Sequence, residues 1–66
     1  MRVRYFNDTD TLLVELAETE VVETKDLNED TMVDLDSKGN IVSITIEHAR
    51  EKADIKDFSY EQIYAL

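Results

Sequence analysis

The chain has no cysteine, no proline and no tryptophan, and its single glycine is Gly39. Without cysteine, disulfide staples are excluded and a zinc site would lack thiolates. Without proline, nothing breaks the hydrogen-bond ladder of a strand. One glycine is too few for a phosphate-cradling loop, which needs several close backbone approaches. Apolar runs such as Leu12-Leu13-Val14 are far shorter than a membrane span or the core of a signal peptide, so neither is expected. A cysteine-free chain suits a reducing compartment, and the expected location is cytoplasmic.

Positive charge is also scarce: seven Lys and Arg stand against sixteen Asp and Glu, giving a net charge of −9. Residues 7 to 36 carry eleven carboxylates against Lys25 alone, so that segment is −10 and the remainder is +1. Such a field repels phosphate backbones and anionic lipid, which excludes direct nucleic-acid and membrane-surface binding as expected functions. It either keeps a small protein soluble or steers a basic protein partner onto the acidic face.

What is present is alternation. Met32 to Asp36 alternates with Val33 and Leu35 on one face, and Ile41 to Ile46 alternates with Val42, Ile44 and Ile46 on one face. Ser37-Lys38-Gly39-Asn40 joins the two arms, and Gly39 and Asn40 tolerate positive φ, so a β-hairpin is predicted. Arg2 to Asn7 and Leu12 to Ala17 form a second predicted hairpin across an Asp8-Thr9-Asp10 turn. Val3 and Tyr5 share a face, as do Leu12, Val14 and Leu16, and Arg2 and Arg4 are expected to neutralise Glu15 on the partner strand. Glu20 to Thr24 reads as a shorter strand around Val21 and Val22, and Lys25 to Asp30 reads as a turn.

Two helices are predicted after the strands. Glu47 to Asp54 consists of good helix formers with Ala49 and Ala53 on one stripe. Ser59-Tyr60-Glu61-Gln62 has the form of a capping box, with Phe58 and Ile63 as its hydrophobic staple. The fold class is therefore α+β in one domain, residues 1–66. Residues 1–46 form an antiparallel β-meander of about five short strands, and the C-terminal segment 47–66 supplies helices covering one sheet face. A chain of this length buries only about 60% of its unfolded surface. Its last helix is barely two turns, so association as a homo-oligomer is expected.

The segments Asp10-Thr11-Leu12-Leu13-Val14-Glu15-Leu16 and Val33 to Ile46 resemble a small prokaryotic domain-of-unknown-function family, number 2283. Its members run through an acidic turn into a D-x-L-x-[VI]-x-L strand, then a V-D-x-D-x-x-G hairpin and an alanine-bearing helix. The likeness extends over residues 2 to 53. The chain departs from it at Ser43, where members commonly carry glycine, and in its tail from Ile55 onward. The resemblance implies a small β-rich domain and, for some members, a toxin–antitoxin context; it transfers no catalytic residue.

No residue pattern indicates catalysis, a cofactor or a metal. Asp34-Leu35-Asp36-Ser37-Lys38-Gly39 imitates the start of a calcium-binding loop. Calcium requires an oxygen ligand at the fifth position and a bidentate Glu at the twelfth, where this chain has Lys38 and Thr45. His48 is the only histidine and has no nucleophile motif beside it, so it reads as a helix-end residue. The expected function is an acidic protein-interaction domain, antitoxin-like, binding a basic protein; the alternative is a homodimeric structural or regulatory domain without a ligand. The candidate interaction face comprises Glu18, Glu20 and Glu23 for steering, with Tyr60, Tyr64 and Leu66 as apolar anchors.

Overall fold

The computed structural model describes residues 1–65. Five antiparallel strands form one sheet: β1 (Arg2–Phe6), β2 (Thr11–Glu15), β3 (Glu23–Asn28), β4 (Thr31–Leu35) and β5 (Ile41–Glu47). Their order is β1-β2-β5-β4-β3. The sheet thus consists of a hairpin, β1–β2, and a three-strand meander, β3–β4–β5, joined where β2 pairs with β5.

Register fixes the two faces, because residues paired across antiparallel strands point to the same side. Val3, Val14, Ile44 and Val33 form one continuous apolar row, and Tyr5, Leu12, Ile46 and Thr31 form the next. The predicted inward set is observed along these rows. Leu16 instead lies beyond β2 and is exposed, and a register shift after Asp34 pairs Leu35 with Ile41, which alternation places on the other face. The opposite face carries a polar row through all five strands, Arg2–Glu15–Ser43–Asp34–Thr24. Arg2 and Arg4 both donate to the Glu15 carboxylate, as expected from their positions. Asp34 accepts the hydroxyls of Thr24 and Ser43 on either side, each at 2.6 Å.

The hairpin tip follows from its turn residues. Gly39 has φ +81°, and its amide donates to the Asp36 carbonyl at 3.0 Å. The Asp36 side chain accepts the amides of Lys38 (3.0 Å) and Asn40 (2.9 Å) and the Thr19 hydroxyl (3.1 Å). Residues 16–22 cross this end of the sheet: Leu16 and Ala17 donate to the Val42 carbonyl, and Val22 donates to that of Leu35.

The structure corrects three expectations. The third strand is Glu23–Asn28, so Val21 and Val22 lie in the preceding loop and the polar stretch from Lys25 is extended. β3 lies at the sheet edge, where all six residues are exposed and no alternation is required. The first helix is a single turn, α1 (Ala49–Lys52), bounded by His48 in the left-handed region and by Ala53 in extended geometry. The second predicted helix is absent: Ser59 to Ala65 has no regular structure, and Phe58, Tyr60, Ile63 and Tyr64 are exposed. A two-turn helix is marginal in water unless its apolar stripe is docked, and here that stripe is not docked. The cover of helices expected over one face is thus reduced to one turn and an extended tail.

The core is correspondingly thin. Val33, Val42 and Ala49 are buried, and among the described residues no large side chain is fully buried.

Candidate interaction surface

Five of the acidic side chains in residues 7–36 have structural partners. Glu15 is paired with two arginines, Asp34 lies in the polar row and Asp36 organises the hairpin tip. Hydrogen bonds hold all three carboxyls below their ordinary pKa: from Arg2 and Arg4 to Glu15, from Ser43 and Thr24 to Asp34, and foremost from the Asn40 amide to Asp36.

Asp10 and Asp30 form a clamp at the other end of the sheet. The Asp10 carboxylate accepts the Tyr5 hydroxyl at 2.6 Å and the Arg50 amide at 3.1 Å, while its carbonyl accepts the Ala49 amide at 3.0 Å. The Asp30 carbonyl accepts the Glu47 amide at 2.7 Å, and its side chain meets His48 Nδ1 at 2.8 Å and Lys52 Nζ at 3.4 Å. Asp10 and His48 both have φ 54°, a conformation uncommon in non-glycine residues. Two turns on different hairpins thus seize the exit of β5 and set the direction of α1. His48 is at a helix end, as expected, but it works as an anchor.

Hydrogen bonding to Asp30 raises the His48 pKa above 6.5, and the same bond lowers that of Asp30. The His48 contribution to stability is full below its unfolded value near 6.5 and is lost as pH rises through the elevated folded value. The Asp30 contribution is lost only in acid, as pH falls through its depressed folded value. Thermal melts of the parent should therefore shift downward as pH rises from below 6.5 through the elevated folded value, and those of His48→Asn should shift less. Asparagine tolerates the left-handed backbone and removes only the titrating ring. Identical pH profiles for the two proteins would remove the clamp's ionic role.

Of the six remaining acids, Asp8 is exposed in the β1–β2 turn, and the other five stand apart from it. Glu18 and Glu20 lie on the 16–22 loop, Glu23 and Asp26 on β3 and Glu29 in the next turn; all are exposed. Among the described residues none of the five has an ion-pair or side-chain hydrogen-bond partner. They form a strip along the loop and the free edge of the sheet. Val22, 58% exposed, and Leu27, 65% exposed, lie within it. Leu27 falls within the Lys25 to Asp30 stretch expected to be a turn; the signal for it is an apolar residue isolated among charges.

The structure does not bring the proposed anchors to that strip. Tyr60 lines an open groove of about 970 Å³ with Met1, Val3, Tyr5, Leu12 and Val14, on the β1–β2 side. β3 is the opposite edge. Tyr64 is exposed in the tail, and Leu66 lies outside the described residues. The single candidate face therefore divides into an acidic edge, Glu18, Glu20 and Glu23, and a separate apolar groove with its tail.

The two hairpins, the acidic turn before β2 and the glycine-centred tip of β4–β5 are also the features of a known domain. The family model described as "Protein of unknown function (DUF2283)" matches residues 2–50. The chain belongs to this family. The matched region spans all five strands and enters α1, so the DUF2283 unit contains the sheet, the clamp and the acidic strip. The tail that lines the groove follows it. No curated protein and no solved structure matches the chain.

Proposed function

We propose that this DUF2283 domain is a protein-interaction module whose acidic edge recruits a basic protein, acting antitoxin-like in the cytoplasm and not as an enzyme. The observation that carries this reading is the strip Glu18, Glu20, Glu23, Asp26 and Glu29, which gathers five exposed, unpaired carboxylates on one loop and edge strand, whereas Asp10, Glu15, Asp30, Asp34 and Asp36 are tied into the fold. Lys25 is the one cation on β3, so the strip is strongly net negative. Unpaired net charge on an edge raises encounter rates with a cationic partner and contributes little to folding. Val22 and Leu27 supply apolar contact inside the strip.

The test begins with recovery of a basic partner from native extract and continues with association kinetics at two salt concentrations. The triple variant Glu18→Gln, Glu20→Gln, Glu23→Gln should slow association about tenfold at low salt, with little change in dissociation. Its melting temperature should stay near that of the parent, because surface charges without partners add little stability. Association indifferent both to salt and to the three glutamines would overturn the reading. The alternative, a homodimeric structural or regulatory domain, draws on the groove on the other side of the sheet.

A further inference from the structure

We infer that the apolar groove over β1 and β2 is an interface at which a second copy of this chain docks, its tail residues Phe58 and Tyr60 crossing onto the first copy's Val3, Leu12 and Val14. The groove is bounded by the sheet on one side and by residues 53–60 on the other, and it is open. Phe58, Tyr60, Ile63 and Tyr64 are 67–80% exposed on the same molecule. The chain's own tail already runs along the groove and leaves both the aromatics and the sheet residues incompletely covered.

Area favours a partner of this kind. Aromatic side chains bury roughly 150–250 Å² each, so three mostly exposed aromatics and the part-exposed sheet residues offer several hundred Å². That is roughly half of a standard interface, about 800 Å² per partner, and fits a dimer of modest affinity. Charge distribution selects a second copy. At −9, the chain would repel itself wherever acids meet acids. The sheet residues in the groove, Val3, Tyr5, Leu12 and Val14, are uncharged, and the acidic strip is at the far edge. Asp54 and Asp57 also line the groove, on the tail side, with Lys56 between them in sequence. A two-fold axis through this face keeps both strips outward and gives each copy cover for a core in which, among the described residues, no large side chain is fully buried. The proposal does not rest on the acidic-edge reading, and the triple glutamine variant should dimerise like the parent.

Sedimentation velocity on the full chain between about 1 and 100 μM should give a species of twice 7.7 kDa. The double variant Phe58→Ser, Tyr60→Ser should weaken dimerisation roughly 100-fold, since two central aromatics are removed. A sample mixing isotope-labelled and unlabelled parent should show intermolecular NOEs from Phe58 or Tyr60 ring protons to Val3 or Val14 methyls. This readout is independent of whether the variant folds. A parent that stays monomeric overturns the proposal. So do ring-to-methyl NOEs that are purely intramolecular, which make the chain's own tail the occupant. A dimer untouched by the two serines in a folded variant places the interface elsewhere and overturns it as well.

Discussion

An Asp36→Ala variant is expected to melt roughly 10 °C below the parent in a thermal scan followed by circular dichroism. Asp36 is one of two buried polar side chains among the described residues, 8% exposed, and its carboxylate accepts two backbone amides and one hydroxyl. Truncation leaves the Lys38 and Asn40 amides without their acceptor at the tip that connects β4 to β5. It also frees Thr19, a side-chain tether of the 16–22 loop. Asp36→Asn keeps one acceptor oxygen and should lose less. The effect has a pH signature. The folded-state pKa is depressed below 3.8, mainly by the Asn40 amide, so the contribution is present above the ordinary value and lost as pH falls through the depressed one. The gap between parent and alanine variant should therefore narrow in acid. Equal melting temperatures at neutral pH would mean that Gly39 and the strand pairing suffice to form the tip.

Ala49→Leu should be about as damaging for the opposite reason, excess volume. Ala49 has no exposed surface, and its amide is fixed to the Asp10 carbonyl, so the position cannot swing outward. Overpacking a closed site costs about 1–3 kcal/mol, and in a domain of this size each kcal/mol lowers Tm by roughly 4–8 °C. Ala49→Gly provides the comparison, since it removes a methyl and loosens the backbone at a cost nearer 0.5–1 kcal/mol. Urea unfolding of the three proteins orders them. Leucine tolerated as well as glycine would show that the junction between β5 and α1 has room that the parent conceals.

These two positions illustrate what the sequence makes legible. The hairpin that Asp36 closes was readable because alternation on both arms and the lone Gly39 agree with one another. The inward faces followed from the same alternation, and the pairing of Glu15 with Arg2 and Arg4 followed from strand neighbourhood. β3 was not readable in place. An edge strand whose six residues are all exposed carries no period, and Val21-Val22 drew the expected strand toward the loop. The Asn28 side chain, which accepts the Asp30 amide at 2.9 Å, turns the chain there and sets the end of the strand. The clamp was hidden because it depends on Asp10 and His48 adopting left-handed backbone, a choice made by contacts with distant turns. At the tail, the Ser59 capping box is a valid local signal, but tertiary packing decides whether two turns form. Of the candidate site, the acidic component was legible as a charge imbalance, while its division from Tyr60 and Tyr64 depended on strand order.

Strand order also governs the route to the native state. All five strands find a neighbour directly next to them in sequence: β1 with β2, β3 with β4, and β4 again with β5. Only the β2–β5 ladder joins distant segments, with Glu15 opposite Ser43 and Thr11 opposite Glu47. Loop-closure entropy grows slowly with length, by about 0.6 kcal/mol per doubling, but it must be overcome before the contacts it enables can form. The hairpins can therefore zip independently on short loops, and the search that limits folding is a single encounter, the outer edge of β2 against the outer edge of β5. Until that encounter both edges are unpaired strands with free amides and carbonyls, open to the same edges of other chains.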